Sequence, residues 1–167
     1  MSSYDSKFNE FLKNKITKHT IIKLVFFLIT LISIVLKAII LQGFVTSKNP
    51  YSFNFSAGYQ AASPCLNYYI AFALIFLSFS LLFKNKGRII YTFIINIFLT
   101  LVMLIDLWYF RGFLTVPSIL VLTQTSNLDN MSGTILSMLS SLDFLFLLDF
   151  IVLAIYTYMT RNSYTKY

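Results

Sequence analysis

Residues 21–41 read IIKLVFFLITLISIVLKAIIL, a run with two lysines, Lys23 and Lys37, and no acid. A helix rises about 1.5 Å per residue, so roughly 20 apolar residues span the hydrocarbon core of a bilayer. Three later stretches meet the same test: 65–83 (CLNYYIAFALIFLSFSLLF), 89–110 (IIYTFIINIFLTLVMLIDLWYF) and 142–159 (LDFLFLLDFIVLAIYTYM). All four contain many β-branched residues, but strands in lipid must alternate in polarity and close into a barrel. These runs are apolar on every side and too long for strands. The fold class expected is therefore all-α, a polytopic membrane protein of four transmembrane helices.

Composition agrees. The 167 residues are 57% hydrophobic and 18% aromatic, with only 11% charged, against about a quarter charged in a typical soluble domain. Such a chain cannot cover itself with a water-compatible surface, which excludes an ordinary soluble enzyme. Thirteen basic residues against six acidic ones give a formal charge of +7. In so apolar a chain those cations read as cytoplasmic anchors of helices, not as a nucleic-acid surface. The single cysteine, Cys65, excludes an intramolecular disulfide, and with the lone His19 it argues against a metal site.

The basic residues also orient the chain. With the N-terminus inside and one crossing per helix, Lys7, Lys13, Lys15, Lys18, Lys84, Lys86, Arg88, Arg161 and Lys166 fall on the cytoplasmic side. Only Lys48 and Arg111 fall outside, a bias that predicts both termini in the cytoplasm. Residues 1–20 place Phe8, Phe11, Leu12 and Ile16 at helical spacing among lysines, which predicts a basic amphipathic helix on the inner leaflet. The run from Lys84 to Arg88 predicts a tight turn between the second and third spans. Residues 42–64 mix Gly43, Pro50, Gly58 and Pro64 with aromatics and predict a loop at the interface. Short surface helices are expected in 112–141, and 161–167 form a cytoplasmic tail. No internal repeat or second soluble domain is visible.

An ionisable group inside a span costs at least about 2.5–3.5 kcal/mol, so each needs a partner or a task. Lys37, Asp106, Arg111, Asp143 and Asp149 all fall in the outer half of the membrane. Their depths suggest a network pairing Lys37 with Asp106 and Arg111 with Asp143. Two readings stand side by side: ion pairs that hold the bundle together, or Lys37 and Arg111 holding a lipid phosphate. A proton relay through the aspartates is a third. No phosphate-cradling loop, catalytic triad or ligand cluster accompanies them.

The segment from Tyr109-Phe110-Arg111 through Gln124, Asn127, Met131 and Gly133 to Asp143, Phe144, Phe146 and Asp149 resembles the membrane domain of the lipoteichoic acid synthase family. The Leu36-Lys37 pair and the basic turn at Lys84 to Arg88 fit the same pattern. The resemblance implies a membrane part of a phosphoglycerol transferase that builds a Gram-positive cell-envelope polymer from phosphatidylglycerol. In that family five membrane helices precede an extracellular sulfatase-like domain carrying the threonine nucleophile and a manganese site. This sequence stops at Tyr167, after the fourth span. The expectation is thus a chain lacking the catalytic domain, inactive alone, with no catalytic residue and no cofactor of its own. Partners expected are membrane lipid, with phosphatidylglycerol the family's substrate, and a separately encoded sulfatase-like domain. The alternatives are a stand-alone module binding anionic lipid or an envelope partner, and a small transporter-like subunit.

Overall fold

A computed structural model describes the backbone of residues 3–115 and 137–164, with side chains over 20–84, 86–115 and 137–160. The described residues are helical and contain no strand. Helix α1 runs Ser3–Val45. Helix α2 is Phe55–Ala62 and α3 is Leu66–Ser78, joined by one 3₁₀ turn at Ser63–Cys65 and extended by another at Phe79–Leu82. Helix α4 is Asn85–Phe113. A 3₁₀ segment, Ser141–Leu147, leads into α5, Leu148–Tyr164. Four helical runs, Thr20–Val45, Phe55–Leu82, Lys86–Phe113 and Ser141–Thr160, are long and apolar enough to cross a bilayer. In such a segment every backbone donor and acceptor must be satisfied internally, which overrides the weak helix propensity of the β-branched residues.

Helix α1 is the element that α2, α3, α4 and α5 all touch. Ile34 of α1, Ala73 and Leu77 of α3 and Leu99 of α4 form one buried cluster. Phe44 of α1, Leu104 and Leu107 of α4 and Phe146 of the 3₁₀ segment form a second. Phe26 stacks against Tyr156 with ring centroids 6.0 Å apart, and the Tyr156 hydroxyl donates to the Ile22 carbonyl at 2.9 Å. Many of the other apolar side chains point outward; Leu82 and Met159 are each 77% exposed. That distribution suits a bundle whose solvent is lipid.

Three local expectations change. Residues 3–20 continue α1 without a break, so no turn lays them along a membrane surface as a separate helix. The turn between the second and third spans shrinks to Phe83 and Lys84: α4 already starts at Asn85, and Arg88 Nε donates back to the Ser80 carbonyl at 3.2 Å. The 42–64 segment is a loop only over 46–54, since α1 continues to Val45. The Asn54 side chain caps α2, accepting from the Ala57 amide at 3.1 Å. Helix α2 then crosses α1 where two glycines meet. A Cβ on Gly58 would lie 2.6 Å from the Gly43 Cα, so Gly43 and Gly58 permit a close approach of backbones instead of making turns. The expected surface helices of the second outer segment lie outside the described residues over 116–136.

A two-tier ion-pair network as candidate functional site

Helix periodicity decides which polar groups can meet. On α4, Asn96, Thr100, Leu104, Leu107 and Arg111 follow one another at intervals of three or four residues and share one face. Arg111 lies eleven residues beyond Thr100, a net rotation of about 20°. Asp106, six residues beyond Thr100, is turned by about 240°. On the fourth span Asp143 and Asp149 are also six residues apart, but most of that interval is 3₁₀ helix. With three residues per turn, i and i+3 eclipse, so Asp143, Phe146 and Asp149 line up on the inner face. An α-helix would have splayed the two aspartates.

The deep tier surrounds Lys37, 2% exposed, about 12 Å from the end of α1. Its ammonium donates to Asn96 Oδ1 at 3.0 Å and to Thr100 Oγ1 at 2.6 Å, and lies 2.9 Å from Asp149 Oδ1. Asn96 Nδ2 donates to Asp149 Oδ2 at 2.7 Å, closing a ring of three side chains from α1, α4 and α5. Thr100 donates to the Asn96 carbonyl at 2.7 Å, and the Phe150 ring centroid is 4.5 Å from Nζ. The ammonium thus has two hydrogen-bond acceptors and one ion-pair partner, all protein oxygens.

The terminal tier surrounds Arg111. Its Nη1 and Nη2 grip the Asp143 carboxylate at 2.8 Å and 2.6 Å, the two-pronged arrangement that suits a planar guanidinium. Nη1 also donates to the Met138 carbonyl at 2.8 Å and Nε to the Pro50 carbonyl at 3.2 Å. Asp143 further accepts from the Trp108 indole at 3.0 Å and from the Ser140 amide at 3.1 Å, half of a capping box that starts the 3₁₀ segment. Phe44 and Tyr51 flank the guanidinium, with ring centroids at 5.4 Å and 5.1 Å. This tier ties α4 to both loops, 46–54 and 137–140.

The depth argument placed Arg111 with Asp143, and the structure brings them together. It does not bring Lys37 to Asp106. Lys37 pairs with Asp149, because Asp106 faces away from the shared stripe into a crevice with Gln42 and Tyr69. Asn96 and Thr100 complete the deep tier. The signal was present in their spacing of four residues on the apolar stripe of α4. Gln124, Asn127, Met131 and Gly133 lie outside the described residues. Among the described residues no three His, Cys, Asp or Glu side chains come together as metal ligands.

The network spans most of the sequence, and so does the comparison that classifies it. Residues 8–167 match the family described as lipoteichoic acid synthase N-terminal domain. The chain belongs to that family. Neither a curated protein nor a solved structure matches the chain. Within this lipoteichoic acid synthase N-terminal domain, the Tyr109-Phe110-Arg111 motif is the end of α4 that carries the terminal tier, and Tyr109 stacks on Phe113 with centroids 4.6 Å apart. Asp143 and Asp149, the two ends of the second motif, are the acids of the two tiers.

Proposed function

We propose that this chain is the membrane-embedded part of a lipoteichoic acid synthase-like glycerophosphate transferase in the Gram-positive cell membrane. It anchors and positions a sulfatase-like domain, joined to it or separately encoded, that works on phosphatidylglycerol during cell-envelope biogenesis. The family match over residues 8–167 is the observation that carries this reading. Two further features support it. The excess of lysines and arginines at one set of helix ends favours both termini in the cytoplasm. In that orientation the terminal tier sits at the outer surface, where it stiffens the ends of helices next to an extracellular partner. On this reading the manganese and the nucleophile belong to that partner.

Two measurements test the reading. The first uses single-cysteine variants in a Cys65→Ser background, in intact cells. An impermeant thiol reagent labels Ser141→Cys and leaves Asn85→Cys untouched; the reverse pattern overturns the orientation. The second is an assay of glycerophosphate transfer from phosphatidylglycerol in membranes. Activity is expected only when the sulfatase-like domain is present as well as this chain. Turnover by the chain alone, with or without manganese, overturns the division of labour.

A further inference from the structure

Lys37 and Arg111 are committed to protein acceptors, whereas one anion within the spans is not. Asp106 makes no hydrogen bond or ion pair to any described residue. Its side chain borders a crevice of about 380 Å³ between α1, α3 and α4, open along one side. That size lies within the usual range of small-molecule pockets, roughly 300–1,000 Å³. The wall is overwhelmingly apolar, formed by side chains such as Phe72 and Met103, with Tyr68 and Tyr69 beside the acid. Gln42 Nε2 donates to the Tyr69 hydroxyl oxygen at 3.2 Å, which leaves the Gln42 carbonyl oxygen free to accept.

This chemistry selects by charge. A carboxylate that stays ionised in an apolar crevice within a membrane span requires a counter-charge. The Gln42 carbonyl oxygen, the tyrosine hydroxyl oxygens and the aromatic faces in this lining all suit an ammonium group. A phosphate meets no cation here and is repelled by Asp106. The apolar remainder of the crevice follows the helices and fits a hydrocarbon chain. We propose that the crevice between α1, α3 and α4 binds the ammonium head group of a membrane amphiphile, with Asp106 as its counter-ion and Gln42 and Tyr69 beside it. The proposal rests on the chain being membrane-embedded and does not depend on glycerophosphate transfer.

The test uses the full chain purified in neutral detergent, titrated with dodecylamine, dodecanol and dodecyl phosphate. Retention is followed by native mass spectrometry, and the unfolding temperature is measured alongside. Dodecylamine is expected to be retained and to raise the unfolding temperature, while dodecyl phosphate does neither. Asp106→Asn should weaken dodecylamine retention by about tenfold or more, the loss expected for one charge-assisted contact, without lowering the unfolding temperature of the free protein. Should Asp106→Asn fail to fold, Val102→Phe, which fills the crevice from α4, must abolish retention. Undiminished retention in Asp106→Asn overturns the proposal, as does equal retention of amine and phosphate. It is also overturned if Asp106→Asn converts an oligomer to monomer without added amphiphile, because a basic side chain of a second copy is then the occupant. A transfer assay that stays silent even with the sulfatase-like domain present, alongside intact amine binding, counts against the synthase reading alone.

Discussion

The two ion pairs contain similar charges yet are built differently. Around Lys37 of α1 the partners are side chains from two other helices, α4 and α5. Around Arg111 half of the acceptors are backbone carbonyls of loops, at Pro50 and Met138. The deep tier therefore fastens helix to helix, and the terminal tier fastens connecting segments to the end of one helix. Position along the helices sets their relative weight: a charge stranded deep in the apolar interior has no water to turn to, whereas one near a helix end can recover some.

The largest effect should come from breaking the deep tier on one side only. Asp149→Leu leaves the Lys37 ammonium buried without its counter-charge and should cost about 3–5 kcal/mol of stability in detergent. The double variant with Lys37→Met should recover most of that loss, since replacing a whole buried pair by apolar side chains is often neutral. If both variants are equally damaged in chemical unfolding, the deep tier does more than balance charge. Next, Arg111→Ala should cost about 2–3 kcal/mol, because it deprives Asp143 of its strongest donors. Faster hydrogen exchange should then appear at 46–54 and 137–140 but not around Asn96. Arg111→Lys should rescue little, because an ammonium cannot reproduce the two-pronged grip. Exchange spreading to the deep tier would show that the tiers act as one unit.

Smaller effects sharpen the boundary between packing and charge. Gly58→Ala forces a methyl group against the Gly43 backbone and should cost about 1–3 kcal/mol, with both ion pairs intact. Smallest is a gain. Leu114 closes α4 at a φ of 53°, in the left-handed region where a side chain is strained. Leu114→Gly should relieve that strain, against the greater freedom of the unfolded glycine chain, for a net stabilisation of about 0.5 kcal/mol. Thermal unfolding in detergent reads both changes.

The four spans were legible because a continuous apolar run of helical length has few other homes. The Arg111–Asp143 pair was legible from depth alone, since both residues sit at span ends on the same side. Lys37 was matched to the wrong acid because depth says nothing about direction around a helix. Asp149 reaches it only through a 3₁₀ interval that no simple period predicts. Gly43 and Gly58 were read as turn formers for a related reason. Glycine signals both a bend and a tight crossing, and only the partner backbone tells them apart.

One feature of α1 has mechanical meaning. Its 43 unbroken residues make a rod about 65 Å long, roughly twice the thickness of bilayer hydrocarbon. Clamped by the bundle over its second half, it behaves as a cantilever. A rocking of about 10° in the gripped portion would swing the far tip by about 5 Å for each 30 Å of overhang. A nudge at the gripped end is thereby delivered, without any refolding, to whatever touches the opposite end.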